Sequence, residues 1–324
     1  TAWLEKHLAA LPPEQREAFM RELMRRWLAE WQTKDSAFAA AFRQLMEAAP
    51  ETAGKLVALL PPVPLRHLMV QVFIRSWAAR DPEAAERWVQ TIREADDRSH
   101  ALVGLAEARL RREPGAALAW ASERLRTTDN PGIVQDLVLG FAAADPNVTA
   151  QWAVGMEAGD VKNKAIVTLA TTWADHDAVK AGEWATSLAP SAARDDAVTA
   201  VGQVWSGDAP EEAIRWFGTQ TFTSPSARAL GFRDFGNALA ASDPDIADRW
   251  LATIEDPANA DAALAGAAEI FYDDDPAKAA LTALKIKDPV ARTTALGDVM
   301  NAWREDDEAA ATRFTLEHLA KEKK

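Results

Sequence analysis

Apolar positions in this chain fall into short stripes that recur at a fixed interval. Before Asp177 they are Ala165, Ile166, Leu169, Ala170 and Trp173. This three-four spacing marks a helix that buries one face. A turn follows, then a shorter stretch in which a small residue and a ring stand three apart. The clearest copy runs Trp77-Ala-Ala-Arg-Asp81-Pro82-Glu-Ala-Ala85-Glu-Arg-Trp88. With Pro82 as position zero, later copies fall at Pro114, Pro146, Ala178, Pro210, Pro244, Pro276 and Glu308. The interval is 32 residues throughout, except for 34 between Pro210 and Pro244. Position +3 is Ala in every copy but one, where it is Thr149. Position +6 is Trp88, Trp120, Trp152, Trp184, Trp216, Trp250, Thr282 or Phe314. Position −5 is Trp77, Arg109, Phe141, Trp173, Trp205, Leu239, Phe271 or Trp303.

Each copy predicts two helices. Asp directly before Pro, as in Asp81-Pro82, Asp145-Pro146, Asp243-Pro244 and Asp275-Pro276, ends one helix and starts another. The carboxylate accepts the free N–H groups, and Pro in the first turn gives up no hydrogen bond. A short helix is expected from Pro82 to about Arg93, and a longer one from Ser99 to Arg112. The fold class that follows is all-α: an α-solenoid of tandem 32-residue antiparallel helix hairpins. Eight hairpins fill residues 65–324 as one continuous body. Residues 1–64 form an N-terminal helical cap holding one degenerate copy, marked by Trp31, Asp35, Ser36, Ala39 and Phe42. Pro61-Pro62-Val63-Pro64 interrupts the helix between them. The two extra residues between Pro210 and Pro244 imply a change of curvature there.

Composition and charge narrow the function classes. Of 324 residues, none is Cys and 13 are Trp, which excludes disulfides, thiolate metal sites and cysteine nucleophiles. The net charge of −13 is unevenly spread. Residues 1–126 hold 19 Lys and Arg against 17 Asp and Glu, whereas 127–324 hold 17 against 32. Such an acidic stretch would repel nucleic acid, so the expected partner is a protein or peptide that is basic or uncharged, and no nucleic acid. No apolar run reaches the about 20 residues that a membrane span requires, and no membrane contact is expected from this segment.

The pattern W-A-x-x-D-P-x-x-A-x-x-W resembles helical repeats of bacterial proteins of the planctomycete and verrucomicrobial kind. Its architecture is similar to that of tetratricopeptide-like α-solenoids. The tetratricopeptide period of 34 and its early Gly-Tyr pair are not matched here. The resemblance spans about residues 20–318. It implies the fold, and an upstream signal or membrane anchor with an extracytoplasmic location, but no activity.

Most tryptophans keep phase with the repeat and are expected to serve core packing. His7, His67, His100, His176 and His318 are scattered in phase. None has the i, i+4 partner of a helical metal site, so no metal or cofactor is expected. Tyr272-Asp-Asp-Asp275 and Glu305-Asp-Asp-Glu308 lack the glycine and the spaced ligands of a calcium loop. No phosphate-binding loop or nucleophile elbow is present, and no catalytic residue is assigned.

The remaining candidate is the polar face of the longer helices, at positions −14, −11, −10 and −7. It reads Lys164, Asp196, Thr199, Gln203, Arg233, Asp234, Asn237, Asp298 and Asn301. In solenoids such a face lines a concave surface that holds extended partners. The expected function is a non-catalytic scaffold or adaptor for a protein or peptide. A glycan-binding or assembly protein of the cell envelope is the second reading, and an enzyme with an irregular helical core the third.

Overall fold

The computed structural model describes residues 44–57, 64–127 and 132–319. The degenerate copy at Trp31–Phe42 and most of the expected cap lie outside the described residues. Among the described residues all regular structure is helical. The chain divides into two compact units, 1–165 and 166–324.

In the first unit α1 (Pro50–Val57) precedes α2 (Pro64–Ala78), α3 (Pro82–Val89) and α4 (Ala95–Arg112). Then follow α5 (Pro114–Thr127), α6 (Ile133–Ala144) and α7 (Pro146–Gly155). The longer helices pack in series, α2 on α4 and α4 on α6. Helix α3 packs on α2 and α4, and α5 on α4 and α6. The helical run α8 (Asp160–Ser187) carries the division between the units.

The second unit continues with α9 (Ala192–Asp208), α10 (Pro210–Gly218), α11 (Pro225–Ser242) and α12 (Pro244–Leu251). It ends with α13 (Pro257–Asp274), α14 (Pro276–Leu284), α15 (Pro289–Phe314) and a π turn at Thr315–Leu319. Here α9 packs on α11, α11 on α13 and α13 on α15, while α12 and α14 each touch the longer helix before and after. Helix boundaries differ from expectation at two points. Helix α3 stops at Val89 instead of near Arg93, where the Gln90 N–H closes onto Glu86 and Trp88. Helix α4 begins at Ala95, about one turn before Ser99.

A short irregular step separates each longer helix from the next short one, and the step has one geometry. Asp81, Glu113, Asp145, Ala209, Asp243 and Asp275 have φ of −141, −146, −159, −143, −146 and −148°. Where Asp stands there, its carboxylate caps the new helix. Asp81 accepts from the Ala84 N–H at 2.9 Å and Asp145 from Asn147 and Val148 at 2.9 and 3.1 Å. Asp243 accepts from Asp245 and Ile246 at 3.0 and 2.9 Å, and Asp275 from Lys278 at 3.0 Å. Glu113 and Ala209 lack such a side chain, and Pro114 and Pro210 alone bar the preceding residue from helical geometry. The converse case occurs inside α8 and α15. Asp177 and Asp307 break these runs at φ −157° and −148° with no proline after them. Their carboxylates accept from Lys180 and Ala310 N–H groups at 3.1 and 2.9 Å. Either device suffices, and both are used where both residues are present.

Across six of the eight steps the −5 and +6 side chains meet. Ring centroids lie 6.1 Å apart for Trp77–Trp88, 5.1 Å for Phe141–Trp152 and 5.8 Å for Trp173–Trp184. They lie 5.6 Å apart for Trp205–Trp216 and 5.4 Å for Trp303–Phe314. Where Arg109 replaces the ring, its guanidinium stands 4.9 Å from the Trp120 ring. That cation–π contact keeps the two helices in register. Glu86 then holds Arg109 at 2.5 Å and Trp120 Nε1 at 3.0 Å, and also accepts from Arg124. Burial pushes the Glu86 carboxyl up, but the Trp120 and Arg124 bonds and both arginine charges outweigh it and hold it below its ordinary value. The −5 tryptophans are buried, as are Trp152 and Trp250, whereas Trp88, Trp120, Trp184 and Trp216 are only half-buried. The small +3 residues, from Ala85 to Ala311, are at most 1 % exposed.

Glycine sets how closely the longer helices cross. A Cβ on Gly236 would lie 2.6 Å from the Ala263 carbonyl oxygen, and one on Gly266 would overlap the Arg233 carbonyl oxygen. Helices α11 and α13 thus meet backbone to backbone at two glycines, which no other residue allows at that distance. Gly207 in α9 has open space around it. Gly266→Ala is therefore expected to destabilise by several kcal/mol through overpacking. Gly207→Ala should stabilise by about 0.5–1 kcal/mol through the helix preference alone. Thermal melts of the two variants check the opposite signs.

Candidate functional site

The longer helices of the second unit set a row of charged side chains side by side. Helix α9 contributes Asp196, α11 contributes Arg233 and Asp234, α13 contributes Glu269 and α15 contributes Asp298, all exposed. Each helix presents these residues because its opposite stripe is apolar and packed, as with Ala197, Val198 and Val201 on α9 and Phe232, Phe235 and Leu239 on α11. Arg233 is the cation of the row and pairs with Glu269. Its bond to Glu269 and the charges of Glu269, Asp234 and Asp298 raise its pKa. Burial lifts the Asp196 carboxyl above its ordinary range, and the like charges of Asp195 and Asp234 add to the effect. Burial also lifts Asp234, where Glu269 raises and Arg233 opposes. Four carboxylates on four successive longer helices therefore share one electrostatic environment with one arginine.

The other residues expected on this face are placed differently. Gln203 is half-buried and donates a long 3.5 Å bond from Nε2 to the Asp234 carbonyl, tying α9 to α11. Asn237 is half-buried, and Asn301 is exposed and accepts from Arg304 at 3.1 Å. Thr199 corrects the expectation. It is 7 % exposed and its hydroxyl donates to the Asp195 carbonyl at 3.0 Å. The cause is close packing by the next helix, since a Cβ on Gly231 would lie 3.0 Å from Thr199 Oγ1. Position −11 is thus covered in α9, although the same position is open at Arg233.

Lys164 lies in the first unit, at the exposed start of α8. Its charge acts on buried Asp136 of α6. That carboxyl accepts from Ser99 Oγ at 2.5 Å. Desolvation pushes Asp136 up, against the Ser99 bond and the charges of His100 and Lys164. The His100 ring stacks on His67 at 4.9 Å, so two histidines 33 residues apart in sequence meet between α2 and α4. Among the described residues no group of three or more His, Asp or Glu side chains is placed to hold a metal ion.

Sequence reading missed Glu269 and Asp195. Glu269 occupies position −7, the same as Gln203, Asn237 and Asn301, so the register held the signal. Asp195 and Asp261 share position −15, are buried, and pin the segment that opens the next longer helix. Asp195 accepts from the Thr223 N–H at 3.0 Å and from its hydroxyl. Asp261 accepts from the Lys287 and Asp288 N–H groups at 2.7 and 2.8 Å. The two extra residues between Pro210 and Pro244 precede this anchor, with the Thr221 carbonyl accepting from Arg194 at 2.6 Å.

Among the described residues no helix is long and apolar enough to cross a membrane. In comparisons with known proteins the chain matches no family model, no curated protein and no solved structure.

The raised carboxyls give the row a defined pH response. Asp234 ordinarily titrates near 3.8 and is raised in the folded chain. Above its folded pKa the native state carries the full penalty of a crowded, partly desolvated carboxylate. As pH falls through that value the native state takes up the proton ahead of the unfolded chain, and the penalty is relieved. Asp234→Asn should therefore raise stability at pH 7, and the gain should vanish below pH 3.8. Urea unfolding across this pH range measures it.

Proposed function

We propose that this chain is a non-catalytic scaffold, an α-solenoid of tandem 32-residue helix hairpins of tetratricopeptide-like architecture. In this reading the longer helices of the second unit hold an extended basic segment of a partner protein. The observation that carries the reading is the row Asp196, Asp234, Glu269 and Asp298, four carboxylates on successive helices with Arg233 among them. An extended peptide lying across consecutive helices would meet one carboxylate per helix, which is the match an extended ligand makes with a repeated surface. Partial burial and neighbouring carboxylates hold Asp196 and Asp234 above their ordinary range, and a bound Lys or Arg would offset that penalty. Arg233 stands in part of that place, held by Glu269. Gln203, Asn237 and Asn301 flank the row with amide groups able to bond a peptide backbone. The acidic excess of residues 127–324 favours encounter with a basic partner at low salt.

A fluorescein-labelled octa-arginine peptide tests this by anisotropy. The triple variant Asp234→Asn, Glu269→Gln and Asp298→Asn should bind it at least tenfold more weakly, with a flatter salt dependence. Arg233→Ala should bind it more tightly. A control variant, Asp273→Asn with Asp274→Asn, removes acidic charge outside the row and should bind as wild type does. Equal weakening by the control and the triple variant would show general attraction to an acidic surface and overturn the reading.

A further inference from the structure

The first unit carries a pocket of about 620 Å³, open to solvent on one side, within the size range of small-molecule sites. It lies far in chemical character from the acidic row. Its walls come from α1, α2, α3, the segment after α3 and the start of α4. Val70, Ala84, Trp88 and Ile92 supply apolar surface.

Trp88 is the ring of this wall, and it is fixed from behind. Phe73 meets it edge-on at 5.5 Å and Trp77 lies at 6.1 Å. Gly54 of α1 lets the ring approach, because a Cβ there would overlap Trp88 Cζ2. Thr91 Oγ1 donates to the Trp88 carbonyl at 2.7 Å and Arg98 to the Ile92 carbonyl at 3.2 Å, holding the segment that follows. Deeper in the cavity, Arg66 Nε donates to both oxygens of Asp97 at 3.1 and 3.0 Å. Both side chains are nearly buried, and their charges cancel. That part of the lining is polar without net charge.

The mouth is different. Lys55, Arg87 and Arg93 stand there, exposed, with Glu51 and Glu94. Three cations face two acids, and among the described residues none of the three cations is held in an ion pair. An apolar slot with a fixed indole wall, opening through an excess of solvated cations, has the chemistry that takes a flat apolar body carrying an anionic group.

We propose that this cavity binds a small organic anion, its flat apolar part lying along Trp88 and its carboxylate, sulfonate or phosphate group meeting Lys55, Arg87 and Arg93. The probe for this is 2-naphthalenesulfonate, titrated calorimetrically into the full chain. One site is expected. Arg87→Glu with Arg93→Glu should weaken it at least tenfold, and because both positions are exposed the fold is retained, as far-UV circular dichroism can verify. The uncharged analogue 2-naphthalenemethanol should bind at least tenfold more weakly to wild type, and sodium sulfate, which lacks the apolar body, should not compete at equal concentration. Trp88→Phe should reduce affinity while leaving the charge dependence in place. Equal binding of the charged and uncharged naphthalenes, an unchanged affinity in the charge-reversed variant, or no heat at millimolar probe would each overturn the proposal.

Discussion

The structure rests on the contact made across each break between a longer helix and the short one after it. A capped break alone would leave two helix ends free to splay. A ring pair alone would have no fixed approach. Together, the Asp or Pro sets the backbone at φ near −150°, and the rings at −5 and +6 close over the step at centroid distances of 5.1–6.1 Å. Each such aromatic contact contributes about 0.5–1.5 kcal/mol beyond the area it buries. The Arg109 and Trp120 pair shows that contact at this point matters more than the kind of residue making it. At Phe271, where position +6 is Thr282, the ring is met instead by Lys278, whose Nζ lies 3.8 Å from its centroid.

This local clamp frees the opposite face of the longer helices from structural duty. Glu269 pairs with Arg233 across α11 and α13, whereas partial burial beside other carboxylates makes Asp196 and Asp234 act against stability. The buried carboxylates behave differently. Asp195 accepts an N–H and a hydroxyl, and Asp261 two N–H groups, from the following segment, so burial there is compensated by bonds that order the chain. Acidic residues of the same helices thus serve opposite ends, one set fixing the frame and the other forming an exposed acidic row.

Much of the helical framework was legible in the sequence. Asp before Pro, and Asp177 before Ala178 in the same register, announced the breaks at the right residues, because capping is a local event that the residue itself determines. The small +3 residues were legible for the same reason. What stayed hidden was contact between residues distant in sequence. Register placed Trp77 and Trp88 in phase but did not state that their rings touch. Thr199 read as solvated because its cover comes from Gly231, 32 positions on, and a glycine leaves no sign of how closely its helix approaches. The His67–His100 stack was invisible for a related reason, since the two occupy neighbouring positions on different helices. The cavity beside Trp88 depends on the spacing of four helices and one glycine, none of which periodicity encodes.

If the ring pairs act locally, loss of one should be felt by its neighbours and spare more distant helices of the same unit. Native-state hydrogen exchange on Trp303→Ala measures this directly, since Trp303 pairs only with Phe314 among the ring contacts of α15. The account predicts lost amide protection in α13, α14 and α15 with α9 and α11 keeping theirs. Uniform loss of protection from α9 to α15 would contradict it, and would show that the unit is held by one cooperative core and not by a series of local clamps.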